Sequence, residues 1–105
     1  MRFKKRYLLY KIEGQKLTEK ELRLVVNKSI AGFIGEMGTS EANIKIMGFN
    51  EVKQLFFIRS ALDSVETIIA ALAFVTSFNN GSVALRLQKM SGSVKHVWTE
   101  DKQAK

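Results

Sequence analysis

The 105-residue chain contains no cysteine. That absence excludes disulfides, thiol nucleophiles and every zinc site built on cysteine, so packing has to hold the fold together. His96 is the only histidine, which leaves no nucleophile–base pair and no clustered metal-ligand spacing. Carboxylates are in the minority, and those present have other work. Glu19 and Glu21 point in different directions on a predicted helix, Asp63 and Glu66 are placed for capping, and Glu100 and Asp101 fall in the polar end. No paired-carboxylate site results, and the chain by itself is expected to be non-catalytic. Long apolar runs are also missing: Thr67 to Phe78, the richest stretch, is far shorter than the roughly 18 residues of a membrane span and contains threonine and serine. The basic start Met1 to Arg6 leads into a short apolar run without a small-residue cleavage site, so no secretory signal is read and a cytoplasmic location is expected.

Positive charge is what the sequence has in excess. Lys and Arg number 17 against 10 Asp and Glu, for a formal charge of +7, and such a balance favours polyanionic partners. A hydrophobic content of 46% over this length suffices for one core. Residues 1–98 read as a single domain and residues 99–105 as a polar, loose tail.

Hydrophobic periodicity gives the order of elements. Arg6 to Glu13 is rich in aromatic and aliphatic residues and closes at Gly14, as a first strand does. Thr18 with Glu21 forms a capping box, and Leu17 with Leu22 a hydrophobic staple, so a helix starts there. Its apolar face runs through Leu22, Val25, Val26, Ile30, Phe33, Ile34 and Met37, with Gly38 as the stop. Ala42 to Phe49 and Val52 to Ser60 read as strands joined by the short Asn50-Glu51 link into a hairpin. Asp63 and Glu66 repeat the capping logic ahead of a second helix with the stripe Val65, Ile68, Ile69, Leu72 and Val75, ended by Asn79-Asn80-Gly81. Val83 to Lys89 is the fourth strand. The order βαββαβ predicts an α+β, ferredoxin-like (RRM-like) sandwich, a four-stranded antiparallel sheet with two helices on one face. Many unrelated functions share that fold.

In this arrangement Leu8, Tyr10, Ile12, Ile44, Ile46 (which alternate with Lys45 and Met47), Phe56, Ile58, Val83, Leu85 and Leu87 face the helices, leaving Tyr7, Leu9, Lys11, Met47, Leu55, Phe57, Arg59 and Arg86 on the open face. Mixed aromatic and basic character suits base stacking with phosphate contacts; cover by another protein or by the chain's own tail is the competing reading. No Arg-Gly-Phe-Gly-Phe-type stacking motif occurs on the third strand. Arg2, Lys4, Lys5, Arg6 and Lys11 precede any acid, and Arg86, Lys89, Lys95 and His96 lie in an acid-free stretch from Gly81 to Trp98. With the first strand beside the fourth, these segments should converge, joined by Lys53. Arg2, Lys4, Lys5, Arg6, Lys53, Arg86, Lys89 and Lys95 are therefore the candidate phosphate contacts, and a solvated basic surface is the plain alternative. The second helix also carries Ala70, Ala71, Ala73, Phe74 and Phe78 beyond its stripe. Phe74 and Phe78 are candidate protein-interface residues, unless close packing against Gly32 and Gly35 of the first helix absorbs the surplus. Gly32, Gly35 and Gly38 do not read as a phosphate-cradling loop, because they lie within or at the end of a helix.

The opening Arg2-Phe3-Lys4-Lys5-Arg6-Tyr7-Leu8-Leu9-Tyr10-Lys11-Ile12 resembles the start of the ribonuclease P protein component 2 family. Leu87-Gln88-Lys89-Met90-Ser91-Gly92-Ser93-Val94-Lys95 is similar to that family's Ser-Gly-Thr-Ile-Arg type of segment, with Ser93 and Val94 as conservative replacements. The resemblance runs from Arg2 to about Val97, specific at its two ends and matched by pattern between them. It implies a protein subunit of ribonuclease P, an endoribonuclease whose catalytic RNA uses magnesium to mature the 5′ end of transfer RNA. The chain itself would bind no cofactor. Implied partners are the ribonuclease P RNA, ribonuclease P protein component 3, precursor tRNA in the holoenzyme, and a second copy of the chain within a heterotetramer. The short polar tail departs from members with further C-terminal structure, whereas the compact length and the lack of an acidic tail point to an archaeal member. A protein-interaction module of a ribonucleoprotein without direct RNA contact is the alternative.

Overall fold

The computed structural model describes residues 4–42 and 44–92. Its elements run β1 (Lys5–Gly14), α1 (Glu19–Ala42), β2 (Lys45–Asn50), β3 (Leu55–Ala61), a 3-10 turn (Leu62–Ser64), α2 (Val65–Ala73), β4 (Ser77–Phe78) and β5 (Gly81–Ser91). The result is an α+β fold with one antiparallel sheet in the order β2-β3-β1-β5-β4. Five strands replace the four expected. The additional one is the two-residue β4, whose Ser77 and Phe78 pair with Ser82 and Gly81. Asn79 (φ 49) and Asn80 (φ 69) make the hairpin between them. Two positive φ angles match a two-residue turn that follows the strand twist, and asparagine tolerates that region better than most residues. These asparagines therefore close a hairpin, and α2 ends earlier, at Ala73.

Both helices cover one face of the sheet. Leu8, Tyr10 and Ile12 of β1, Phe56 and Ile58 of β3, and Val83 and Leu85 of β5 pack with Leu22, Val25, Val26 and Ile30 of α1 and with Val65, Ile68, Ala71 and Leu72 of α2. Each large aliphatic or aromatic side chain so removed from water contributes about 1.5–3 kcal/mol before chain entropy is charged against it. The alternation of β1, β3 and the first half of β5 was thus in the expected phase.

Local details depart from expectation in four places. The Thr18–Glu21 capping box forms as read: the Glu21 amide donates to Thr18 Oγ1 at 3.3 Å and the Thr18 amide to Glu21 Oε1 at 3.0 Å. In α1, however, the residue with left-handed backbone is Gly35 (φ 80), and helix resumes beyond it to Ala42, so Gly38 is no terminus. The expected box at Asp63 and Glu66 is replaced by the 3-10 turn, and Ser64, which precedes α2, makes no side-chain capping bond. The β2–β3 link is a four-residue turn, 51–54, in which Asn50 Oδ1 accepts from the Lys53 amide at 3.0 Å and Gln54 has φ 55. Finally, β5 carries a bulge where it passes Leu9 and Tyr10 of β1: Leu87 pairs with Tyr10 and Lys89 with Leu9, leaving Gln88 without an opposite number.

Candidate nucleic-acid interface

Antiparallel pairing of β1 with β5 brings the start of one strand to the end of the other. Tyr7 lies opposite Ser91 and Leu9 opposite Lys89. The Arg6 guanidinium donates to the Lys5 carbonyl at 2.9 Å and lies against Gly92, its Nη1 3.3 Å from where a β-carbon on Gly92 would sit. Lys4, Lys5 and Arg6 therefore lie at the end of the sheet where β5 finishes, with Lys89 further along, opposite Leu9, and the described parts of the two acid-free segments adjoin at Arg6 and Gly92. Lys4 is further fixed by its carbonyl, which accepts from the Leu62 amide at 2.8 Å. Arg2 and Lys95 lie outside the described residues, as does His96.

Two candidates belong elsewhere. Lys53 precedes Leu55, which pairs with Lys11, whereas Lys5 pairs with Ala61 at the opposite end of β3. At about 3.4 Å per residue, Lys53 is roughly 20 Å from Lys5. The expectation that it joins the cluster is corrected: strands β1 and β3 are antiparallel, so the start of one cannot adjoin the start of the other. Arg86 sits opposite Lys11, further along the sheet, and its guanidinium is ion-paired with Glu13. Part of its charge is already answered.

The face opposite the helices has a definite composition. Leu9 (2% exposed) and Phe57 (5%) form a small apolar cluster with Tyr7 and Leu55 packed against it, and the Tyr7 and Phe57 rings lie 6.4 Å apart at 52°. Around this cluster the register places Lys5, Lys11, Arg86 and Lys89, together with Lys45 and Arg59. Lys45 is absent from the sequence-derived set. Its alternation with Ile44 and Ile46 was visible, but only the strand register reveals that it faces Arg59.

Tyr10 places a phenol in the interior of the fold. Its ring stacks on Phe56 at 5.4 Å inside the main core. Burial pushes its hydroxyl up to about 12, because a phenolate there would lose its hydration.

On the helix side a groove of about 960 Å³ opens between α1 and the segment following α2. Phe74 is 70% exposed beside it, with its ring 5.5 Å from that of Phe33, which is 45% exposed. Phe78 lines the same groove but also packs against the main core. Of the two candidate interface residues, Phe74 is thus the freely presented one. Close helix packing absorbs part of the apolar surplus of α2, since Ala71 is fully buried and its carbonyl accepts from Ser29 Oγ at 2.7 Å. Among the described residues, no three His, Asp or Glu side chains gather as a metal site, and no helix is long and apolar enough to cross a membrane.

Comparison with known proteins gives a consistent answer. A family model described as the Rpp14/Pop5 family matches residues 6–100. The chain is 26% identical over 98 residues to ribonuclease P protein component 2 of Pyrococcus furiosus, a match that spans 92% of this chain and 82% of the relative. It is 29% identical over 98 residues to the protein of the same name from Methanosarcina barkeri, spanning 92% and 71%. Among solved structures, a chain in the cryo-EM structure of yeast ribonuclease MRP superposes with a TM-score of 0.70 at 13% identity, covering 99% of this chain and 95% of that one. At that identity the likeness is one of fold.

Proposed function

The chain belongs to the Rpp14/Pop5 family, and from that premise we propose that it serves as a non-catalytic protein subunit of ribonuclease P, supporting the catalytic RNA in maturation of the tRNA 5′ end. The observation that carries this reading is the family match over residues 6–100, which takes in both helices and every strand except the first residue of β1. The archaeal relatives named ribonuclease P protein component 2 support the same assignment and an archaeal type of subunit. The strand order, with β4 as an added edge strand, supports a ferredoxin-like reading of the fold.

Direct RNA contact falls to the basic end of the sheet. Lys4, Lys5, Arg6 and Lys89 lie where β1 begins and β5 ends, and a cluster of this kind neutralises several phosphates with a steep dependence on salt. Arg86 and Lys53 contribute from other positions, at the periphery. The exposed Phe74 and the groove beside it supply the surface for a protein partner, which in this family setting is ribonuclease P protein component 3 or a second copy of the chain. The subunit acts in the cytoplasm as part of that assembly.

The experiment is reconstitution. Precursor-tRNA cleavage by ribonuclease P RNA with its other protein subunits is measured with and without this chain, at limiting magnesium. Addition of the chain is expected to raise the rate, and reversing charge at Lys4, Lys5 and Arg6 together should remove most of the gain while the domain stays folded. Equal rates with and without the chain would refute the assignment.

A further inference from the structure

On the sheet face turned away from the helices, the register sets Lys45 of β2 directly opposite Arg59 of β3, and Arg59 directly opposite Tyr7 of β1. Lys5 lies two residues before Tyr7 on the same face, diagonal to Arg59. Directly opposed residues hold their β-carbons about 4.5–5.5 Å apart and diagonal ones about 7–8 Å, within reach of long side chains. Three cations therefore share one corner of the sheet. Like charges placed opposite each other oppose folding, and among the described residues no carboxylate makes an ion pair with any of the three.

Arg59 adds an independent sign. Its Nε is buried and meets no hydrogen-bond acceptor. A charged donor withdrawn from water without an acceptor costs free energy that an arriving anion would return. Beside it stands the partly exposed Tyr7 ring, a flat surface on which a base can stack next to the phosphate that the cations hold. A carboxylate-bearing protein would answer the charge but would make no use of the ring.

We propose that Lys45, Arg59 and Lys5 form a binding site for a backbone phosphate of RNA, with Tyr7 stacking the adjoining base. The site rests on the reading of this chain as a ribonuclease P subunit and deepens it by naming a contact on the open face that shares Lys5 with the basic end of the sheet. Arg59 supplies the directional donor, and the two lysines act as point charges on either side.

The test uses the full-length chain and in vitro transcribed ribonuclease P RNA. Affinity is measured between about 50 and 200 mM KCl for the wild type, for Lys45→Gln, and for the Lys45→Gln/Arg59→Gln pair. The pair is expected to bind about tenfold more weakly, and its salt slope should fall by about one. Arg59→Lys keeps the charge but loses the Nε donor, and should recover only part of the affinity. For the free protein, Lys45→Gln should leave the thermal midpoint unchanged or raise it by up to about 4 °C, because repulsion is relieved; a residue needed only for the fold would lower it. Should the pair fail to fold, Lys45→Gln alone decides the matter through affinity and salt slope. Wild-type binding with an unaltered slope in the variants overturns this site and leaves the subunit assignment standing. Absence of RNA binding by the wild type overturns the site and its premise together. Loss confined to assembly with a protein partner overturns it in favour of an acidic protein.

Discussion

Gln54 holds Leu17 from both sides of its peptide unit: its Oε1 accepts from the Leu17 amide at 2.7 Å, and its Nε2 donates to the Leu17 carbonyl at 3.0 Å. The same Nε2 donates to the Glu51 carbonyl at 2.7 Å, while the Gln54 carbonyl accepts from the Ile12 amide at 2.8 Å. One buried side chain thus ties the entry to α1, the β2–β3 turn and the end of β1. Gln54→Ala should cost about 2–4 kcal/mol, since two buried backbone groups lose their partners. Urea unfolding checks this, with Gln54→Glu as a companion that keeps the size but loses the donor.

Tyr10 predicts a pH effect. Its hydroxyl ionises near 10 in the unfolded chain and at about 12 in the fold, so between those values the unfolded state releases the proton first. Stability from this residue is complete below pH 10 and is lost as pH rises towards 12, by roughly 3 kcal/mol. The comparison is with Tyr10→Phe, whose unfolding free energy should fall less steeply there. Near neutral pH this variant should match or exceed the wild type, as the buried hydroxyl has no hydrogen-bond partner. A steeper fall in the phenylalanine variant would contradict the argument.

Gly14 ends β1 with φ 92, and a β-carbon there would stand 2.4 Å from the Ser82 carbonyl oxygen. Both the backbone conformation and the space require glycine. Gly14→Ala should lower stability by at least about 2 kcal/mol, measured by thermal or denaturant unfolding. At Gly81 the nearest atom is Gln15 Oε1, the end of a flexible side chain, so Gly81→Ala should be the milder change.

Phe74 separates binding from stability. As an exposed side chain its truncation to alanine should change unfolding free energy by less than about 0.5 kcal/mol. Should it anchor a protein partner, the same change should weaken that complex by about 2 kcal/mol or more. Calorimetric titration of wild type and variant with the partner reads both values on one sample.

The layers of the fold were legible because hydrophobic alternation is a strong local signal. Leu8, Tyr10 and Ile12 declared their face in sequence order alone, and Thr18 with Glu21 declared the start of α1. What stayed hidden depended on tertiary pairing or on very short elements. A two-residue strand such as Ser77–Phe78 has too few positions to show a period. The helix break falls at Gly35 although three equally spaced glycines offered themselves, and nothing in the local sequence ranks them. Of the basic candidates, Lys4, Lys5, Arg6 and Lys89 gather because the neighbour strands are antiparallel, and the same geometry sends Lys53 to the far end. Arg59 was readable as an open-face residue. Its confrontation with Lys45 was not, since only register tells which side chain stands across from which.

The unmatched Gln88 has an effect on parity. Arg86 and Lys89 are three positions apart, an odd spacing that would point them to opposite sides of an unbroken strand. The extra residue absorbs the mismatch, so both lie in line with Lys11 and Leu9 of β1. Regular pairing through Gln88 would turn Lys89 towards the helices and Met90 away from them, inverting the last stretch of β5; deleting Gln88 would instead set Arg86 and Lys89 two positions apart and keep both on the open face without a bulge.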